Sequence, residues 1–455
     1  MKMRRQYLSR RRRQSARKAK AQTDAQIGNS GTGNRPGEPG NWVPWKRIGS
    51  GGQGSAWIWI YFNQNNAIIR RVVKKDTHCK DSWYDIRAWA GNDLKDYNSR
   101  IPWEHRCQSQ LTWIANARHV VRTTMQWSPI LVSEAWKSHK IYTEWCPMGD
   151  LADLITKYKE QPAPNNYIAE PMIWATAEAL ALAGLAMQHG TEDVDAGTLA
   201  NWIPIIHRDL KPGNIFLADP SPNAQGTTLW PSYPKPLLGD FGLAIETSPT
   251  DPHNPTWHLE LGTPGYMAPE QLAYIDRTTL FHLNPTPLTE KTNVFGIGVI
   301  LYSLLTLNHG AASGIQPEFL GVNPQDQNPF TLQDDEGDPY DQNNADKYTE
   351  SLRGLIDECT HYDPALRPDF REILRRTRGL FDGPGDGLGV GASAQDLEAQ
   401  ADVFMSRGMR GGWAGATTRA RYCLKNGDGS EWRKGDVYTV GLNRAALQAV
   451  VPQAL

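Results

Sequence analysis

Between Ile205 and Leu217, two short apolar runs, Ile205-Ile206 and Ile215-Phe216-Leu217, flank the polar stretch His207-Arg208-Asp209-Leu210-Lys211-Pro212-Gly213-Asn214. An imidazole, a guanidinium, a carboxylate, an ammonium and an amide stand within eight positions, a density that a bland surface loop does not need. The pattern reads as an active-site loop between two buried strands. A second stretch with chemical potential is Ile48-Gly49-Ser50-Gly51-Gly52-Gln53-Gly54-Ser55-Ala56. Glycines at this spacing let a hairpin backbone approach triphosphate oxygens, because a Cβ would block the contact and a free N–H can then donate. A plain turn or a dinucleotide fingerprint carries the same pattern, but a dinucleotide site wants a helix next. Here the strand-prone Trp57-Ile58-Trp59-Ile60-Tyr61-Phe62 follows instead.

The run HRDLKPGN resembles the catalytic loop of eukaryotic protein kinases of the serine/threonine type. Leu238-Gly239-Asp240-Phe241-Gly242 and Gly262-Thr263-Pro264-Gly265-Tyr266-Met267-Ala268-Pro269-Glu270 follow it in that family's order, at an activation-segment spacing. The resemblance spans Trp45 to about Leu380, and the composition is similar to that of divergent kinases of filamentous fungi. It implies an α+β protein kinase fold of two lobes, a small β-rich N-lobe and a larger α-helical C-lobe.

The same resemblance implies ATP and Mg²⁺ as cofactors, protein substrates, and a set of roles. Asp209 would accept or orient the acceptor hydroxyl's proton, and Lys211 would hold the γ-phosphate. Asn214 and Asp240 would bind Mg²⁺, a hard ion that favours carboxylate and amide oxygens. Gly49, Ser50, Gly51 and Gly54 would cover the phosphates, with Ala56 standing where the family usually has Val. One lysine of Val73-Lys74-Lys75 would meet the α and β phosphates. The two side chains point to opposite faces of a strand, so only one can do so; Lys75 is preferred by its register and Lys74 is the alternative. Its partner would be Glu104 on the next helix, with Gln110 as the fallback. Thr143 would be the gatekeeper, the backbones of Glu144 and Cys146 would meet adenine, and Asp150 would accept a ribose hydroxyl.

Arg208 would serve regulation, holding a phosphorylated Ser248, Thr250 or Thr256; each of these is otherwise an ordinary loop hydroxyl. Arg367 would pair with Glu270. Asn293 stands where the family usually has Asp, and its amide can still bond backbone but carries no charge. Lys211 and Thr263 favour serine or threonine as the acceptor. The rival readings are a pseudokinase that binds ATP as a scaffold, and a nucleic-acid-binding protein working through its basic arm.

The alanine- and leucine-rich Pro171 to Gln188 predicts a long amphipathic helix before the catalytic loop. Val294 to Leu307 is too short for the roughly 18 to 20 apolar residues of a membrane span and reads as a buried core helix. Lys2, Arg4, Arg5, Arg10 to Arg13, Arg17, Lys18 and Lys20 meet no acid in the first twenty residues, so the near-neutral net charge of −1 hides a basic arm and an acidic remainder. That arm is a nuclear-import or nucleic-acid patch through residues 1–20, or a solvated tail. The expected division is a disordered basic arm at 1–41, a kinase domain at 42–380 and a Gly- and Ala-rich tail at 381–455, with a small hairpin around Tyr422 to Val440. The 191–201 and 308–346 stretches read as insertions. Five scattered cysteines and the absence of an apolar leader place the chain in the cytoplasm or nucleus, with no membrane contact.

Overall fold

The computed structural model describes residues 41–51, 54–62, 68–90, 100–114, 117–124, 130–160, 166–168, 170–218, 233–272, 286–309 and 348–379. The basic arm, the 381–455 tail with its expected hairpin, and most of the 219–236 and 308–346 stretches lie outside the described residues. The chain's described residues divide into two compact units, one within 41–84 and 124–145, the other within 85–123 and 146–379.

The first unit is an antiparallel sheet in the order β1-β2-β3-β7-β6, formed by Asn41–Gly51, Gly54–Phe62, Ile68–His78, Ser138–Thr143 and Ile130–Ser133 respectively. Aromatic and β-branched side chains suit this pleated surface. Both faces of β2 are covered: Ile58 and Ile60 are fully buried on one, and Trp57 and Tyr61 nearly so on the other. That is why β2 reads as a continuous apolar run and does not alternate. β1 begins at Asn41, opposite Phe62, one residue inside the segment assigned to the arm. The reason is the next pair, where Trp42 lies against Tyr61 with ring centroids 5.0 Å apart. At Gly54 a Cβ would run into the carbonyl oxygen of Asp76, so packing against β3 demands this glycine whatever it does for a ligand.

The second unit carries two short strands, β4 (Trp89–Ala90) and β5 (Ile101–Pro102), then helix α1 (Trp103–Trp113). Helices α2 (Leu151–Lys159), α3 (Glu170–His189), α4 (Glu290–Thr306), α5 (Glu350–Cys359) and α6 (Phe370–Gly379) follow. Side-chain caps start three of them: Asp150 accepts from Asp153 N–H, Thr289 from Lys291 N–H and Thr349 from Leu352 N–H. α3 differs from the amphipathic expectation. Nearly every residue from Glu170 to Met187 is buried, because α4 and α6 both pack on it. A helix enclosed on several sides has no use for a polar face.

α4 is the buried helix expected at Val294 to Leu307. Its Gly296 lies against Leu210 of the catalytic loop, where a Cβ would sit 2.6 Å from that of Leu210. Among the described residues no helix is long and apolar enough to cross a membrane. Cys79, Cys107, Cys146 and Cys359 are free thiols, all buried.

Candidate active site

Two ladders hold the ends of the loop at 207–214. β8 (Ile205–Ile206) pairs with β11 (Ile245–Glu246), and β9 (Ile215–Ala218) pairs with β10 (Lys235–Leu238). These are the two flanking strands expected from the apolar runs. Between them His207 is fully buried against Phe241, with ring centroids 4.8 Å apart. Burial lowers the pKa of His207, and its neighbours fix the neutral tautomer. Asp209 N–H donates to Nδ1 at 3.3 Å, so Nε2 carries the hydrogen and donates to the Gly239 carbonyl at 3.1 Å. Arg208 takes a positive φ of 64°. It donates to the carbonyls of Leu243 at 2.6 Å and His258 at 3.5 Å, and burial pulls its pKa down to about 10.

Asp209 is the hub of the polar cluster. Lys211 Nζ lies 2.7 Å from Asp209 Oδ2 and 2.8 Å from Thr263 Oγ1, and Thr263 Oγ1 donates to Asp209 Oδ1 at 2.6 Å. Asn214 Nδ2 donates to the Asp209 carbonyl at 2.7 Å and to Oδ2 at 3.2 Å. The amide oxygen of Asn214 takes no part in either bond. Gly239 N–H bonds the Asn214 carbonyl at 2.9 Å, and Asp240, at a φ of 58°, is the next residue in the chain. An amide oxygen and a carboxylate form a donor set that fits Mg²⁺, which commonly takes few protein ligands and completes its shell with water and phosphate. No cluster of three His, Cys, Asp or Glu able to hold a metal exists among the described residues.

The first unit separates the two lysines. Lys75 faces Ala56 across one ladder and Ile141 across the other, and Val73 on the same face opposes Thr143. Lys74 lies on the opposite face, 5% exposed, with Nζ 3.2 Å from Asp76 Oδ2 and 4.8 Å from the Trp59 ring centroid. Burial lowers its pKa, against the pull of Asp76. Gly49, Ser50 and Gly51 end β1, and Gly51 opposes Gly54 at the start of β2. Glu144 follows β7.

In the second unit, Glu104 occupies the first turn of α1 on the buried face shared with Cys107, Gln108 and Leu111; Gln110 is only half-buried. Cys146 packs with Val121 and Leu237, and Asp150 caps α2.

A family model described as the protein kinase domain matches residues 45–377, most of the chain. The chain belongs to the protein kinase family. It is 30% identical over 234 residues to a probable serine/threonine-protein kinase nek2 of Dictyostelium discoideum, covering 51% of this chain and 43% of that protein. It is equally 30% identical over 234 residues to human serine/threonine-protein kinase Nek2, covering 51% and 41%. To the G2-specific protein kinase nimA of Emericella nidulans it is 26% identical over 248 residues, covering 51% and 29%. The match thus spans less than half the length of each of these relatives.

Within the kinase domain, Glu270 and Arg367 form the expected pair, with side chains 2% and 0% exposed. Arg367 Nη1 and Nη2 donate to the two carboxylate oxygens at 2.7 and 2.9 Å. Its other three N–H groups bond the carbonyls of His361, Lys291 and Tyr362, so all five donors are used.

The activation segment is held by side-chain amides. Asn254, 9% exposed, clamps the Leu288 backbone through both ends of its amide, at 2.9 and 2.8 Å, and donates to the Ser248 carbonyl. Ser248 and Thr250 hydroxyls bond one another at 2.9 Å and Thr256 is exposed, while Arg208 spends its described bonds on backbone carbonyls. Sequence reading missed Asn254 because a lone Asn in a turn carries no periodic signal. It also missed Arg106, whose guanidinium bonds Glu246 at 2.7 Å and ties α1 to β11. Glu192, in the insertion that had no assigned chemistry, accepts from the N–H groups of Arg118 and His119 at 2.7 and 2.8 Å.

Asn293 supports the loop with both halves of its amide. Oδ1 accepts from His207 N–H at 2.9 Å and Nδ2 donates to the Ile205 carbonyl at 3.0 Å, in a site 1% exposed. Asp cannot donate to that carbonyl and would bury a charge beside it. Restoring the family's usual residue by Asn293→Asp is therefore expected to lower stability by about 1–3 kcal/mol, read as a lower denaturation midpoint at unchanged slope.

Proposed function

We propose that this chain is a protein kinase that transfers the γ-phosphoryl group of ATP to serine or threonine hydroxyls of protein substrates. The observation that carries the reading is the triangle of Asp209, Lys211 and Thr263, to which Asn214 is hydrogen-bonded. Phosphoryl transfer passes through a loose transition state, so the protein's task is to align two oxygens and balance spreading negative charge.

Asp209 accepts the hydrogen of the acceptor hydroxyl and orients its lone pair along the line of attack. Lys211, already hydrogen-bonded to Asp209, places its ammonium where charge develops on the transferring group. Thr263 fixes the second carboxylate oxygen of Asp209, so the carboxylate cannot rotate. Asn214 and Asp240 would hold Mg²⁺, which would supply positive charge to offset that of the phosphates. Lys75 would bind the remaining phosphates, Gly49, Ser50, Gly51 and Gly54 would offer them backbone N–H groups, and Glu104 is the partner that the family's pattern gives Lys75. The backbones of Glu144 and Cys146 bond adenine, and Asp150 the ribose, from the carboxylate that also caps α2. The names of the relatives, all serine/threonine kinases or a G2-specific protein kinase, favour a hydroxyl acceptor of this type.

The test is transfer of label from ATP, with Mg²⁺, to histone or to the chain itself. Asp209→Asn keeps the shape of the side chain but is a far weaker proton acceptor, and is expected to lower kcat by about 10²–10⁴-fold. If wild type and variant both transfer nothing while ATP still binds, the kinase reading falls and an ATP-binding scaffold takes its place.

A further inference from the structure

Gln271 directly follows Pro269 and Glu270 in a single helical turn and is 2% exposed. Every polar atom it has is engaged. Its amide oxygen accepts from Ala268 N–H at 3.0 Å, and its amide nitrogen donates to two carbonyls, Arg208 at 2.9 Å and Leu261 at 3.1 Å. Its backbone N–H donates to the Ala268 carbonyl at 2.9 Å and its backbone carbonyl accepts from Glu260 N–H at 2.7 Å. The orientation of the amide follows from chemistry, because two carbonyls can be bonded only by the NH₂ end.

The two carbonyls belong to the two segments that meet at Asp209. Arg208 precedes Asp209 in the catalytic loop, and Leu261 stands two residues before Thr263, whose hydroxyl bonds Asp209. Between them Gly262, at a φ of 157°, brings the turn so close that a Cβ would lie 2.8 Å from the Arg208 carbonyl oxygen. Both carbonyls accept from the one amide nitrogen of Gln271, so their oxygens converge on a shared donor that balances their partial negative charges. That donor sets how far the Thr263 hydroxyl lies from the Asp209 carboxylate.

We propose that Gln271 is a positioning residue for phosphoryl transfer, fixing the catalytic loop against the turn that presents Thr263 to Asp209. The role rests on the kinase reading above and adds to it a side chain that touches no reacting atom. Its effect is on kcat, through Asp209, and not on nucleotide affinity, because neither bridged segment carries the glycine hairpin or Lys75.

The experiment is a double-mutant cycle on the full chain with Gln271→Met, Thr263→Val and the double variant, measuring kcat and KM with histone and ATP beside thermal melting. Gln271→Met is expected to lower kcat about tenfold or more with KM for ATP unchanged. The double variant should be no slower than the slower single, since residues acting through one network are not additive. Effects that multiply, or a Gln271→Met variant as fast as wild type, overturn the proposal. Should Gln271→Met not fold, Gln271→Glu replaces it in the cycle. It keeps the shape and the oxygen that Ala268 bonds, but turns an oxygen toward both carbonyls, and the same loss of kcat and the same non-additivity are expected. A wild type that transfers nothing overturns the kinase reading and this inference together, whereas an active wild type with additive variants overturns this inference alone.

Discussion

Lys75→Met is expected to cut phosphoryl transfer by about a hundredfold or more, the scale of losing one charge-stabilising donor, while Lys74→Met leaves kcat within a few-fold. The argument is the register of three strands. Lys75 shares a face with Ala56 and Val73, and Val73 opposes Thr143. That face therefore carries Ala56 beside the glycine hairpin, Lys75 and Thr143 together. Lys74 lies on the other face opposite Trp57 and Tyr142, committed to Asp76 and the Trp59 ring. Removing it leaves the Asp76 carboxylate buried with, among the described residues, only the Lys140 ammonium at 4.0 Å, so the Lys74→Met protein should melt earlier yet transfer at a near-normal rate per folded molecule. Steady-state kinetics corrected for the folded fraction decide the matter, and the reverse order of the two variants would refute the assignment.

The largest expected loss of stability comes from Arg367→Met. Truncating one partner of a buried ion pair leaves the other charge uncompensated, at a cost of about 3–5 kcal/mol. Here Glu270 would keep, among the described residues, only the Thr292 hydroxyl at 2.8 Å, and the carbonyls of His361, Lys291 and Tyr362 would lose the Arg367 donors. Arg367→Lys should recover little of it, because an ammonium has three donors in place of five and cannot bond both carboxylate oxygens in a planar fork. Urea unfolding of the variants, read at the midpoint, checks this. A shift of less than about 1 kcal/mol, the range of an exposed pair, would show that the pair carries no more than a surface contact.

The structure also bears on how the activation segment is held. Asn254 and Gln271 fix it through uncharged amides, and the buried guanidinium of Arg208 rests on backbone carbonyls. The hydroxyls suggested as phosphate carriers, Ser248, Thr250 and Thr256, lie in this same segment, and Ser248 and Thr250 are bonded to each other.

What the sequence by itself determined is whatever is local. Asp209, Lys211 and Asn214 lie within six positions of one another, so the loop that brings them together is already implied by their order and by the apolar runs on either side. The order of the HRDLKPGN, Asp-Phe-Gly and Ala-Pro-Glu stretches likewise identified the family and its two-lobed α+β architecture, and Pro171 to Gln188 was legible as a helix. The face that this helix hides was not legible, since burial on all sides depends on α4 and α6, which come later in the chain. Which of Lys74 and Lys75 shares a face with Ala56 and Thr143 depends on a register of one residue, since a one-residue shift flips a side chain to the other face of the sheet and leaves composition unchanged. Asn293 carries no charge where the family usually has one, and that both ends of its amide are bonded was not legible, because its partners, His207 and Ile205, lie 86 and 88 residues away. Gln271 is a plain residue in sequence and a bridge in space, its amide meeting Arg208 63 residues back and Leu261 ten residues back. Hydrogen bonds act over about 3 Å, so a polar side chain acquires its meaning from neighbours that only the folded chain supplies.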